Sequence, residues 1–325
     1  MRMPQARGPL SQALTSALAD RPGGRRAVPM GTAGRADPYG EDLQLALYLC
    51  YELHYRGIDR VADDWEWDPR LLDARAALER RFLAALRRDV PRHPDVASAL
   101  AELLVEPAGG TGVSAYLRDE GEHWQLREYA ALRSLYHLKE ADPHAWVLPR
   151  LTGRAKAGMV AVEYDEFGAG HADRAHSQLF AELMTDLGLD AHYGRYLESG
   201  TADVLATVNL MSLLGLHRGL RGGLVGHFAA VEIASSPGSR RLAQAMERTG
   251  AGPAAVGFYT EHVEADAVHE QLVRHEVIGG LLEQEPGLEP DVVLGLDATV
   301  WLEDRLGDHL MSAWRTGHSA VRVPL

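Results

Sequence analysis

The chain has 325 residues, 46% hydrophobic and 24% charged, enough for a large core; its net charge of −13 argues against nucleic acid or an anionic membrane surface as the main partner. A single cysteine, Cys50, excludes an internal disulfide framework and a thiolate metal site, whereas fifteen histidines put imidazole and carboxylate chemistry within reach. No apolar run approaches the roughly 20 residues of a membrane span, and no signal-peptide core is legible, so a cytoplasmic setting is expected.

Residues 1–37 are rich in Arg, Gly, Pro and Ala without sustained periodicity and read as a flexible arm. The leucine-rich stretch Tyr39–Gly57 predicts a buried helix. Asp68 then caps a helix that has Pro69 at its first position and runs to about Arg88. Pro91 and Pro94 break the chain before a helix over Asp95–Val105, and Pro107–Gly112 is the clearest linker. The region 38–108 is therefore expected to be an N-terminal helical extension. Beyond it, helices are predicted over Glu122–Ala141 and Ala155–Asp186, the latter interrupted near Gly168 and Gly170. His192–Ser199 is short, and Ala202–Leu216 is apolar enough to be buried. Further helices are predicted over Leu220–Ala234, Ser239–Thr249, Pro253–Glu283 and Pro290–Ala313. No alternating strand pattern and no repeat is found. The expectation is all-α, about seven helices forming a domain over 113–317, with 318–325 as a tail.

The stretch Phe258–Gly279 carries the most unusual pattern. His262, Asp266 and His269 fall at i, i+4 and i+7, on one stripe of a helix. Burying two imidazoles and an ionised carboxylate without partners costs several kcal/mol, which a metal would offset. Alternatively the stripe is a solvated face, since Glu261, Glu264, Glu270 and Glu276 surround it. Facing ligands for a metal are available upstream: Glu140 near the end of its helix, Glu166 and His176, and Glu232, an acid in an otherwise apolar run. Ten residues of ideal helix would leave Glu166 and His176 about 80° apart, so the glycines between them must permit a break. His171 is a weaker alternative to His176. Gly215, Gly219, Gly222, Gly223 and Gly226 read either as a haem-facing helix or as close helix packing.

Taken in order and spacing, Glu140, Glu166, His176, Glu232, His262, Asp266 and His269 resemble the iron ligands of the heme-oxygenase-like diiron oxidases. The resemblance is closest to the N-oxygenating branch found in streptozotocin and azomycin biosynthesis, and it spans about residues 40–317. It implies a seven-helix heme-oxygenase-like bundle, two iron ions held by those seven residues, O2 as co-substrate and an external electron donor. A homodimer built partly from the N-terminal helices is also implied. The implied reaction is oxygenation of an amine, guanidine or aminoimidazole nitrogen to a hydroxylamine or nitro group. Oxidative C–C cleavage or decarboxylation of an amino or fatty acid is the alternative, and iron storage the non-enzymatic one. Asp173 and Glu163 are candidate acceptors for ligating imidazoles, and Glu232 a carboxylate able to shift between irons. Streptozotocin-type members continue into a cupin domain, and this sequence ends eight residues after Gly317, so cupin chemistry is not expected.

Overall fold

A computed structural model describes all residues except 24–27, 29–32 and 106–111 and, within a helix, the side chains of Glu264, Asp266 and Ala267. The described residues form helices and turns with no strand. The expected linker at Pro107–Gly112 lies almost wholly outside the described residues.

The N-terminal region is built from α1 (Pro9–Leu18), α2 (Glu41–Glu52), α3 (Pro69–Asp89) and α4 (Val96–Leu103). The reading of residues 1–37 as a flexible arm is corrected for α1. Leu10, Leu14 and Leu18 are buried, and Asp42 of α2 accepts hydrogen bonds from the backbone N–H groups of Leu10 (2.9 Å) and Ser11 (2.7 Å). An isolated ten-residue helix is marginal in water, so its order depends on this docking. Asp68 caps α3 as expected, accepting from the N–H groups of Arg70 and Leu71.

The larger bundle follows with α5 (Val113–Asp119), α6 (His123–His137), α7 (Asp142–Ala145), α8 (Gly153–Glu166), α9 (His176–Asp186) and α10 (Ala202–Leu216). It is completed by α11 (Arg221–Thr249), α12 (Pro253–Leu272), a π-helical turn at Val273–Ile278, α13 (Gly279–Gln284) and α14 (Glu289–Trp314). Helix α11 is continuous where two helices were expected. Pro237 lies inside it at a half-buried position, where water can satisfy the carbonyl that proline leaves without a donor.

Helices α11 and α14 cross at glycines. A Cβ on Gly226 would collide with the Val292 carbonyl oxygen, and one on Gly295 with the Gly223 carbonyl. Close packing therefore explains Gly226, and the haem-facing alternative is not needed for it. The 318–325 segment is not a loose tail throughout. Ala320 is buried with its N–H donating to Glu128 (2.9 Å), and the Arg322 N–H donates to the Ser199 carbonyl (2.9 Å). No helix among the described residues is long and apolar enough to cross a membrane.

Candidate metal centre

Helix α8 ends at Glu166 and α9 begins at His176, and the chain between them folds back through two short 3-10 turns, Gly168–Gly170 and Ala172–Arg174. Gly168, Ala169 and Gly170 all have positive φ (73°, 53° and 85°), and a Cβ on Gly168 would meet the Ala175 backbone. That break removes the 80° offset of an ideal helix. His176 Nδ1 lies 2.9 Å from Glu166 Oε2, without the alignment of a hydrogen bond.

Two trios of side chains converge. Glu140, His176 and His262 each offer a ligand atom within 4.8 Å of the others, and so do Glu166, Glu232 and His269; all six residues are buried. They come from the turn after α6, from α8, from α9, from α11 and, for both His262 and His269, from one face of α12. Glu166 joins the trios. Its Oε2 faces His176, while its Oε1 lies 3.7 Å from His269 Nδ1. Asp266 lies on α12 between the two histidines, and its side chain is outside the described residues. His171 is exposed and takes no part.

The imidazoles are oriented by groups outside the trios. His262 Nδ1–H donates to the Phe258 carbonyl at 2.8 Å, which directs the Nε2 lone pair toward Glu140, 3.8 Å away. His269 Nε2–H donates to Asp165 at 3.3 Å, leaving Nδ1 to face Glu232 (3.0 Å) and Glu166. His137 Nδ1–H donates to Glu140 Oε1 at 2.6 Å. Sequence reasoning gives His137 no role beyond that of an ordinary helix residue and does not single out Asp165. The only signals were proximity: His137 sits three residues before Glu140, and Asp165 adjoins Glu166. Of the expected imidazole acceptors, Asp173 is exposed, and Glu163 is buried with neither carboxylate oxygen hydrogen-bonded among the described residues.

The electrostatics are those of a site that wants cations. Burial pushes the Glu163 carboxyl up to about 9, helped by the nearby Glu166 and Glu232 charges. Burial also opposes ionisation of Glu140, but His137 and His262 outweigh it and hold that carboxyl far below the usual range. For His269 burial favours the neutral ring, yet Glu232, Glu166 and Asp165 together raise it to about 9. Without metal, protons must offset the charge of four buried acids. Glu140 Oε2, both Glu163 oxygens and His176 Nδ1 lack hydrogen-bond partners among the described residues. Hard carboxylates with imidazoles, and no thiolate, form a donor set suited to iron. The six residues therefore fit a pair of metal positions.

Comparison with known proteins agrees with this donor set. The family described as iron-containing redox enzyme matches residues 127–304, a span that includes every residue of both trios. Nitrosourea synthase of Streptomyces achromogenes subsp. streptozoticus is 27% identical over 161 residues, covering 49% of this chain and 34% of that protein. The matched part thus spans about a third of that relative's length. With its helical bundle, its two converging trios and more than half of its length matched, the chain belongs to the heme-oxygenase-like family of iron-containing redox enzymes.

Proposed function

We propose that this protein is an O2-dependent nonheme diiron oxygenase that oxidises the nitrogen of an amine, guanidine or aminoimidazole. The observation that carries the reading is Glu166, whose two oxygens face histidines of different trios, so that it would be placed to serve both metal positions. When bound, an iron pair would supply O2 activation and the change of oxidation state. Similarity to a nitrosourea synthase favours a nitrogen-bearing substrate.

The chain's own residues would then act as follows. Glu140, His176 and His262 hold one ion, and Glu166, Glu232 and His269 the other, with Asp266 the seventh expected ligand. The Phe258 carbonyl and Asp165 fix which ring nitrogen of His262 and His269 is the lone-pair donor. Before metal binds, Glu163 keeps a proton on its carboxyl at neutral pH, a proton that cations alongside would help to release. Phe180 and Phe258, both buried beside His137 and His262, keep water from the imidazole side. Inserting one oxygen atom into an N–H bond consumes O2, two electrons from an external donor and two protons, with the second oxygen leaving as water.

The test is to incubate the iron-loaded protein and a reductant with simple amines, guanidines and 2-aminoimidazole, following O2 uptake and product mass. N-oxygenation predicts substrate-accelerated O2 uptake and a product heavier by one oxygen atom per round. Loss of CO2 or release of an aldehyde would instead indicate oxidative cleavage. O2 uptake that no organic compound accelerates would indicate an iron-binding or storage role.

A further inference from the structure

The stretch Leu138–Ala141 turns the chain between α6 and α7 and carries Glu140. Three turn hydrogen bonds shape it, from the Lys139 N–H to the Tyr136 carbonyl (2.7 Å), from the Glu140 N–H to the His137 carbonyl (3.3 Å) and from the Asp142 N–H to the Lys139 carbonyl (3.1 Å). Ala141 has φ 72°, in the left-handed region that a residue with a Cβ adopts only under outside constraint. The strain at Ala141 is not offset by these local bonds alone, so a tertiary contact is expected to help hold the turn.

Lys139 supplies the constraint. Its side chain is 1% exposed, and its Nζ donates at 3.2 Å to Glu52 Oε2, whose residue is 0% exposed at the end of α2. The Tyr193 hydroxyl donates to the same Glu52 oxygen at 2.8 Å. The ammonium also lies over the rings of Tyr55 (4.2 Å) and Tyr48 (5.1 Å), both from the same N-terminal segment. Consecutive residues thus face opposite ways. Lys139 is anchored in the N-terminal region, while Glu140 reaches His137 and His262 in the bundle.

A buried ion pair of this kind adds little stability over well-packed apolar groups, so its value is better sought in geometry. We propose that the Lys139–Glu52 pair is a clamp through which the N-terminal helical region sets the position of Glu140, and that Glu52 is accordingly a positioning residue for one of the two metal positions. The inference rests on reading Glu140 as a ligand. It gives the leucine- and tyrosine-rich stretch around α2 a task inside the site, separate from any role in dimer formation.

The test uses the full-length chain. Anaerobic titration with ferrous ion, with ⁵⁷Fe Mössbauer spectra at each step, measures the affinity of each position. Lys139→Met is expected to weaken the Glu140/His176/His262 position by about 10- to 100-fold, the usual effect of losing a group that orients a ligand. The Glu166/Glu232/His269 position should change far less. Glu52→Gln, which keeps the size and an acceptor for both Lys139 and Tyr193, should weaken the same position by a smaller factor. It supplies the same ratio if Lys139→Met does not fold. Equal weakening at both positions, or unchanged affinity at both in a folded variant, overturns the clamp. Failure of the wild-type chain to take up two ferrous ions overturns the diiron reading itself, a result distinct from the first two.

Discussion

Glu166 turns one oxygen to His176 on α9 and the other toward His269 on α12, whereas Glu140 belongs to one trio alone. Their replacements should therefore differ in stoichiometry. After desalting, Glu166→Ala is expected to retain no tightly held iron, and Glu140→Ala to retain one ion of two, as read by elemental analysis against protein concentration. Equal stoichiometry in the two variants would overturn the view that Glu166 serves both positions. Away from the ligands, His144 and His227 form a buried pair with ring centroids 5.2 Å apart. The His227 Nδ1–H donates to Thr299 Oγ1 at 2.7 Å, and burial lowers its pKa to about 4; burial lowers His144 as well. The sign follows from where the proton goes. Above the ordinary value near 6.5 both folded and unfolded chains hold neutral His227, so its full contribution is present there. As pH falls from about 6.5 to 4, only the unfolded chain gains the proton, and up to about 3 kcal/mol of stability is lost. His227→Gln, which can still donate to Thr299, should flatten that acid limb. Urea unfolding midpoints at pH 7 and pH 4.5, compared with wild type, check it.

At the scale of elements, the crossing of α11 and α14 fixes the height at which Glu232 enters the site. Gly226 sits under the Val292 carbonyl, so Gly226→Ala must push the two backbones apart. A cost of about 1–3 kcal/mol is expected from overpacking, seen as a lowered Tm, and the Glu166/Glu232/His269 position should lose iron affinity with it. Gly238, with open space around its Cα on the same helix, is the control: alanine there should not lower the Tm. These elements were largely legible in the sequence, because prolines, glycines and helical periodicity mark their ends. The convergence of six of the seven expected residues was legible for the same reason. His262 and His269 share a helix face by spacing alone, and the glycines after Glu166 announced the break that brings His176 round. What was not legible depends on tertiary geometry. Asp165 meets His269 only because α8 and α12 pack side by side, whereas His137 meets Glu140 across a local i, i+3 turn that spacing alone allows. The continuity of α11 through Pro237 was hidden too, since a proline among serines and a glycine reads as a stop whether or not the flanking turns are held by packing.

For the molecule as a whole, the two ends of the chain are tied to its middle. The buried carboxylate of Glu128 accepts from the Trp314 indole N–H and the Ala320 N–H, both at 2.9 Å, which fixes the segment after α14. At the other end α1 lies on α2, and α2 carries Glu52 to the turn before Glu140. The composition of residues 1–37 gave no sign of this, because Arg, Gly and Pro outweigh the three leucines that matter. Those leucines decide between a docked helix and a mobile arm. Leu14 is 2% exposed, so Leu14→Ala removes buried methyl groups and leaves a cavity, at an expected cost of about 2–5 kcal/mol. A mobile arm would show no change. If α1 supports α2, and α2 supports the turn that carries Glu140, the same variant should also weaken the Glu140 position for ferrous ion, although residue 14 touches no ligand. Thermal unfolding and an iron titration on one preparation separate the outcomes. A lowered Tm with unaltered affinity would confine α1 to stability, and a change in both would extend the centre's support to the first helix of the chain.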